Sequence, residues 1–323
     1  MAKSFLAFLL VAFGLAAATP GLAASYPTRV ITLVVPFPAG GATDVVARTL
    51  AQGLSERFGQ QVIVENRPGA NGQIGSVAVA QAKPDGYTLL MGGVNTQGMN
   101  DVLYKKRQYD SLKDFTPIAL TSIIPVAFVV HPTLPVNSLQ DLVQLAKAEP
   151  GKLSYGSSGA GGPHNLAMEL FKSIAKIDIQ HIPYKGGAPQ LNDLVAGHIR
   201  IGAIGLPPAL QHIRQGRLRA LAVSDGKRTS FLPDLPTVAE SGFPGFEVNY
   251  WLGLFGPAGM PRDVVTTLNT EVVDLLKRPD IREIMAKQGV EIVTSTPDEL
   301  GKMVAMEIGR WGKVVKDAGI SLD

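Results

Sequence analysis

The chain contains no cysteine in 323 residues. That excludes disulfides, thiol nucleophiles and thiolate metal sites, and leaves the hydrophobic core to hold the fold by itself. Charge of one sign is equally scarce. The 30 Lys and Arg against 27 Asp and Glu leave a formal +3, with no run of like charges, so no basic stripe offers itself to nucleic acid or a membrane surface. His131, His164, His181, His198 and His212 show neither metal-ligand spacing nor a His-Glu-x-x-His motif. After the N-terminal segment, no stretch reaches the roughly 18 unbroken apolar residues of a spanning helix. Thr121, Ser122 and Pro125 interrupt the apolar run from Ile118 to Val130. What is abundant is apolar material, 46% of residues against 18% charged, enough to bury the cores of two lobes.

The N-terminus carries the plainest signal. Lys3 supplies a positive region, and Phe5 to Ala18 form an apolar core too short to span a bilayer. Pro20 and Gly21 then break any helix before the small residues Ala23 and Ala24. This predicts a signal peptide over 1–24, a mature start near Ser25 and a periplasmic protein. No Cys precedes Ser25 to carry a lipid.

Downstream, short apolar runs alternate with helical patterns. Val30 to Val35 reads as a strand, and from Ala42 the residues Val46, Leu50, Leu54 and Phe58 recur four apart on one helical face. A run at Gln61 to Val64, a helical stretch to about Ala82, a Pro84-Asp85-Gly86 turn and a strand at Tyr87 to Met91 follow. This rhythm predicts a parallel sheet with right-handed crossovers. It restarts with a strand at Val126 to Val130 and a helix at Leu139 to Ala148 capped by Ser138, and continues to Val223. Ser224 to Gly245, rich in Pro and Gly, reads as a return linker to a strand at Val248 to Phe255. The last helix starts at a capping box, Thr296-Pro297-Asp298-Glu299, and carries the stripe Leu300, Val304, Ile308, Trp311, Val315. The predicted fold is α/β, two lobes joined by two crossings with a cleft between them. Residues 25–122 and 246–323 form lobe one and 123–245 form lobe two.

In open α/β sheets ligands sit beyond the carboxyl ends of the strands. Two loops there share one grammar. Pro36-Phe37-Pro38-Ala39-Gly40-Gly41-Ala42-Thr43-Asp44 leads from a strand into a helix, and so does Tyr155-Gly156-Ser157-Ser158-Gly159-Ala160-Gly161-Gly162-Pro163-His164. Glycine backbone and a helix start together make an anion cradle; an ordinary turn with Thr43 or Asp44 as cap is the plainer alternative. Neither loop contains Lys or Arg, so the pair would hold a carboxylate by amides and hydroxyls and close the lobes upon it. Phe37, Pro38, Ala39, Gly40, Gly41, Thr43 and Asp44 are candidate contacts from lobe one. Ser157, Ser158, Gly159 and His164 are those from lobe two, with His164 equally readable as a polar helix-start residue. Asn95 and Thr96 add a further strand end, Lys185 is the one cation near these loops, and Trp251 belongs to the core or to the cleft wall. No nucleophile elbow, P-loop, dinucleotide fingerprint or metal spacing is present, so neither an enzyme nor a cofactor is expected. The ligand would be a small carboxylate.

Several further segments are familiar. The Val34 to Asp44 loop, Val64-Glu65-Asn66-Arg67-Pro68-Gly69-Ala70, Pro84-Asp85-Gly86-Tyr87-Thr88-Leu89-Leu90 and His181-Ile182-Pro183-Tyr184-Lys185-Gly186 occur in order. Leu235-Pro236-Thr237-Val238-Ala239-Glu240-Ser241-Gly242 and Gly256-Pro257-Ala258-Gly259 follow. Over essentially the whole mature chain this resembles the Bug-type (TctC-like) extracytoplasmic solute-binding receptors of tripartite tricarboxylate transporters. The resemblance implies a type II periplasmic-binding-protein fold, a small organic acid as ligand and the two transmembrane subunits of a transporter as docking partner. It also implies that the ligand carboxylate lies, often through ordered water, between Pro38 to Thr43 and Ser157, Ser158 and Gly159; a monomer is expected. Two departures stand out. Asn95-Thr96-Gln97-Gly98 puts an amide at Gln97 where the family often has histidine, and Ile204 stands where many members have aspartate. Ile204 offers no counter-charge to an amine. The expected ligand is therefore a non-amino organic or aromatic acid with an apolar distal body. An extracytoplasmic sensor with another partner would share the fold, and a secreted α/β hydrolase would lack its motifs.

Overall fold

The structure, a computed structural model, describes residues 26–318; the expected signal peptide lies outside the described residues. In chain order the strands are β1 (Ile31–Val35), β2 (Val62–Asn66), β3 (Thr88–Gly93), β4 (Phe115–Ile124), β5 (Val126–Val130), β6 (Ser154–Ser157), β7 (Gln180–Pro183), β8 (Ile201–Gly205), β9 (Arg219–Val223), β10 (Tyr250–Pro257) and β11 (Glu291–Ile292). The helices are α1 (Ala42–Phe58), α2 (Gln73–Ala80), α3 (Asn100–Leu103), α4 (Leu139–Ala148), α5 (Pro163–Ala175), α6 (Gly187–Ala196), α7 (Leu206–Arg214), α8 (Arg262–Lys277), α9 (Pro279–Lys287) and α10 (Pro297–Ala318).

The strands form two sheets, ordered β11-β4-β10-β3-β1-β2 and β7-β6-β8-β5-β9. β1 is almost wholly apolar and pairs in parallel with β2 on one side and β3 on the other, Ile31 opposite Val62 and Leu33 opposite Leu89. The α1 stripe, Val46, Leu50 and Leu54, is buried as its spacing requires. The expected parallel pairing is present among β1, β2 and β3 and among β6, β7 and β8, but it does not extend through either sheet. β10 runs antiparallel to both β3 and β4, and β5 runs antiparallel to β8 and β9. The cause lies at the crossings. A single residue, Pro125, separates β4 from β5, so the chain passes between sheets without a helix to reverse it. The long return segment then brings β10 back into the middle of the first sheet.

The two crossings are tied to each other. The Ser224 N–H donates to the Val126 carbonyl at 2.8 Å, and its own carbonyl accepts the Val248 N–H at 2.9 Å. The Ser224 hydroxyl also donates to the Val248 carbonyl at 2.7 Å. At the C-terminus the capping box forms, with the Thr296 N–H donating to Glu299 Oε2 at 2.8 Å. Leu300, Val304 and Trp311 of α10 are buried, and the helix packs on β4, in the first sheet. Both ends of the described chain therefore belong to the first sheet and its helices.

Candidate functional site

The Pro36–Gly41 loop is held from behind. Gly40 adopts φ +80°, a left-handed conformation that glycine takes without strain. Its N–H donates to Asp44 Oδ2 at 2.9 Å, and the same oxygen accepts Arg48 Nε at 2.8 Å. Asn66 Nδ2 donates to Asp44 Oδ1 at 2.9 Å and to the Phe37 carbonyl at 3.0 Å. Burial acts to raise the Asp44 carboxyl, but the donors from Arg48, Gly40 and Asn66 outweigh it and hold the group below the usual carboxylate range. Asp44 is therefore a buried, ionised brace that shapes the loop.

Across the cleft, Ser157 turns away from the opening. Its Oγ bonds His181 Nε2 at 2.7 Å and donates to the Gly159 carbonyl at 3.0 Å. Gly159 and Gly161 have φ +145° and +71°, and Asn165 Oδ1 accepts the Gly161 N–H at 2.8 Å. Ser158 Oγ is left at the cleft, hydrogen-bonded to His164 Nδ1.

Where the halves meet, α1, α5, α6 and α7 all begin at one small chamber. Their N-cap residues are Gly41, Gly162, Gly186 and Gly205, none with a side-chain cap, and all four line the chamber. A helix start without a side-chain cap leaves amides unsatisfied and its positive dipole end uncompensated. α7 contributes only the dipole, because its Leu206 N–H is given to the Pro125 carbonyl and prolines occupy 207 and 208. Among the described residues, no Asp, Glu, Lys or Arg lines the chamber. Its volume is about 30 Å³, room for roughly a few heavy atoms.

The two halves are in contact around it. A Cβ at Gly186 would lie 2.8 Å from Pro38 Cδ, and one at Gly205 would lie 3.1 Å from the Ala42 Cβ. An outer chamber of about 630 Å³ adjoins the inner one, and Phe37, Pro38, Asn71, Ser158 and Gly186 line both. Lys185 is the only charged residue among those described that lines the outer chamber, and it is exposed.

The structure thus sorts the predicted residues. Phe37, Pro38, Gly41, Thr43, Asn95, Ser158, His164 and Ile204 line the inner chamber, and Gly159 and Lys185 the outer one. Ala39 and Gly40 lie on the exposed loop tip. Asp44, Thr96, Gln97, Ser157 and Trp251 line neither chamber. Gln97 is fully buried and accepts from the Ser111 hydroxyl at 2.9 Å, so it bears on packing rather than on ligand choice. Trp251 and its neighbour Tyr250 point to opposite faces of β10, as strand alternation demands. It is Tyr250 that reaches the chamber.

Sequence reasoning missed Tyr250 and Asn71. The Tyr250 hydroxyl lies 2.5 Å from Thr43 Oγ1, and its ring meets His164 edge-on at 5.4 Å between centroids. Burial, partly offset by the bond to Thr43, raises its phenol to about 12. Asn71 occupies a left-handed turn at φ +52°, in a Gly-Ala-Asn-Gly segment whose composition is that of a tight turn. Two polar atoms of the chamber residues, Asn95 Oδ1 and His164 Nε2, are buried without a partner.

Comparisons with known proteins agree with this architecture. Residues 46–320 match the tripartite tricarboxylate transporter family receptor. The chain is 37% identical to Protein BugT of Bordetella pertussis over 97% of its own length and 98% of that protein. A solved R. palustris structure with adipate is 39% identical with a TM-score of 0.89, covering 92% of this chain and 99% of that one. MatC from Rhodopseudomonas palustris with bound malate is 33% identical with a TM-score of 0.85, covering 90% and 100%. The chain belongs to the tripartite tricarboxylate transporter family of receptors, solute-binding proteins rather than enzymes.

Proposed function

We propose that this protein is a periplasmic receptor that closes around a small organic acid without an amine and delivers it to the membrane subunits of a tripartite tricarboxylate-type transporter. One observation carries the reading: four helix starts with glycine caps converge on a chamber that has no charged wall. Dipoles and amides of this kind favour an anion, and the chamber admits little more than its carboxylate. The remainder of the ligand extends into the outer chamber past Phe37, Pro38 and Ser158.

Among the described residues no Asp or Glu lines either chamber, and Ile204 closes one wall of the inner one. A ligand ammonium would therefore be desolvated without a counter-charge, which costs several kcal/mol, on the order of the penalty for burying an unpaired ion. Adipate and malate, held by two solved relatives, are acids of the class expected here. The moving bodies are the first sheet, β1–β4 with β10 and β11, and the second sheet, β5–β9, each with its helices, hinged at Pro125 and at the Ser224 tie.

A thermal-shift and calorimetric screen of the mature chain tests the proposal by pairing each acid with its 2-amino analogue, succinate with aspartate and glutarate with glutamate. Stabilisation by the unsubstituted acids alone is expected. Tighter binding of the amino acids would refute the preference against an amine, and no response to any acid would refute the carboxylate reading.

A further inference from the structure

The inner chamber must neutralise an anion with no resident cation. Among the described residues that line it, only His164 is able to gain a positive charge. His164 is 5% exposed. Its Nδ1 is hydrogen-bonded to Ser158 Oγ, while Nε2 is buried with no partner. A Cβ at Gly205 would lie 3.5 Å from that nitrogen, which places Nε2 against the seam where the α7 and α1 starts meet.

The groups facing the ring are few. From β10 comes the Tyr250 ring, whose phenol stays protonated. From the loop before α5 comes Ser158, and from the β8–α7 junction the backbone at Gly205. None of these carries a charge. With nothing to compensate an imidazolium, burial pushes the ring down to about 4, so at neutral pH His164 is uncharged while the chamber lacks an anion.

We propose that His164 takes up a proton as the ligand carboxylate enters, so that the receptor binds its acid together with one proton. This rests on the reading that the chamber anchors a carboxylate. The imidazolium donates Nε2–H to the carboxylate and Nδ1–H to Ser158 Oγ. The Ser158 hydroxyl, no longer needed as donor to the ring, turns its hydrogen toward the ligand. No bond other than N–H is made or broken, and the proton comes from solvent before closure is complete. The carboxylate is the partner whose absence keeps the ring neutral. An opposite charge at hydrogen-bond range raises a histidine by roughly 1–3 units, which brings the bound-state value into the range about 5–7.

The sign of the linkage follows. Between the ring's free and bound pKa values, ligand binding takes up close to one proton and affinity weakens up to about tenfold per unit of rising pH. Above the bound value the uptake vanishes and affinity levels off.

Titration calorimetry of the mature protein with adipate and with malate, at pH 6 and pH 8 in buffers of different ionisation enthalpy, counts the protons directly. The expected result is uptake of a fraction of one proton at pH 6, larger the higher the bound-state value, almost none at pH 8, and uptake lost in a folded His164→Gln variant titrated with the same acids. Because each acid's own ionisation is common to both proteins, the difference belongs to the ring. In parallel, the His164 ring nitrogen resonances of the wild-type protein are titrated with and without adipate, which needs no variant. A bound-state value raised above the free one supports the proposal. Equal heats in all buffers with binding intact, uptake that persists in His164→Gln, or a ring pKa unmoved by adipate would each overturn it. Failure of the wild-type protein to bind any acid would instead remove the carboxylate reading on which it rests.

Discussion

Replacing Gly186 by alanine separates folding from closure. Gly186 belongs to the α6 start, and its backbone is held at φ +121°, ψ 172°, a region that only glycine occupies without strain. A methyl group there would lie 2.8 Å from both Cδ and Cγ of Pro38, across the cleft. Two penalties follow, and they act on different equilibria. The backbone term, about 1–3 kcal/mol, falls on the folded state whether the cleft is open or shut. The overlap with Pro38, about 1–3 kcal/mol by analogy with overpacked cores, exists only while the halves touch. Adipate affinity should therefore fall by roughly 5- to 150-fold. Gly216→Ala supplies the control, since Gly216 has φ +70° and nothing within 4 Å of its would-be Cβ. It should lower the unfolding midpoint and leave affinity unchanged. Calorimetry for affinity and denaturant melts of the ligand-free proteins for stability read the two effects apart. Adipate affinity within twofold of wild type in a folded Gly186→Ala protein would refute the claim that this contact belongs to the ligand-bound form.

Other expectations follow from single residues. Lys185→Met removes the one charge lining the outer chamber. At an exposed site this should cost adipate up to about fivefold in affinity and leave hexanoate unaffected, in paired titrations. Equal losses for both acids would deny Lys185 a role at the far carboxylate. Asp225 adjoins the Ser224 tie, and Oδ2 of its carboxylate is buried without a partner. Burial, then Glu291 and Glu247, push it up to about 7 from an ordinary 3.8. The folded state thus holds a proton that the unfolded chain releases, and stability present below pH 4 is lost as pH rises through 7. Asp225→Asn should flatten that slope and stabilise the protein at pH 8 by up to about 4 kcal/mol. Melting at pH 5 and pH 8 checks this, and an unchanged slope would contradict it.

The glycine loops were legible in the sequence because their grammar is local: a strand, small residues, then a helix with a proline or an acidic brace in its first turn. Their convergence was only half legible. The segments Tyr184 to Gly187 and Ile204 to Pro207 are legible as further strand ends, but composition does not show that the α6 and α7 caps, Gly186 and Gly205, meet those of α1 and α5. β4 escaped notice because Thr116, Pro117, Thr121 and Ser122 break its apolar pattern. Thr121 Oγ1 donates to the Leu252 carbonyl at 3.0 Å and Thr116 Oγ1 to the Pro257 carbonyl at 2.8 Å, so these hydroxyls are satisfied by β10, more than 100 residues away. The same distance in sequence hid the antiparallel insertion of β10. Without its register, nothing distinguished the face bearing Tyr250 from that bearing Trp251. Gln97 drew attention as a departure from the family pattern, yet the chain turns at 95–99 and buries it behind Gly92, where a Cβ would lie 3.1 Å from Gln97 Cγ.

The central claim is that uncapped helix starts, with no lysine or arginine beside them, anchor the acid. A crystal structure of the mature protein with adipate tests it most directly. One carboxylate should lie in the inner chamber, within hydrogen-bond reach of the first-turn amides of α1 and of His164 Nε2, directly or through one water, with its chain leading toward Lys185. Both carboxylates in the outer chamber, with the inner one holding no part of the ligand, would contradict the account.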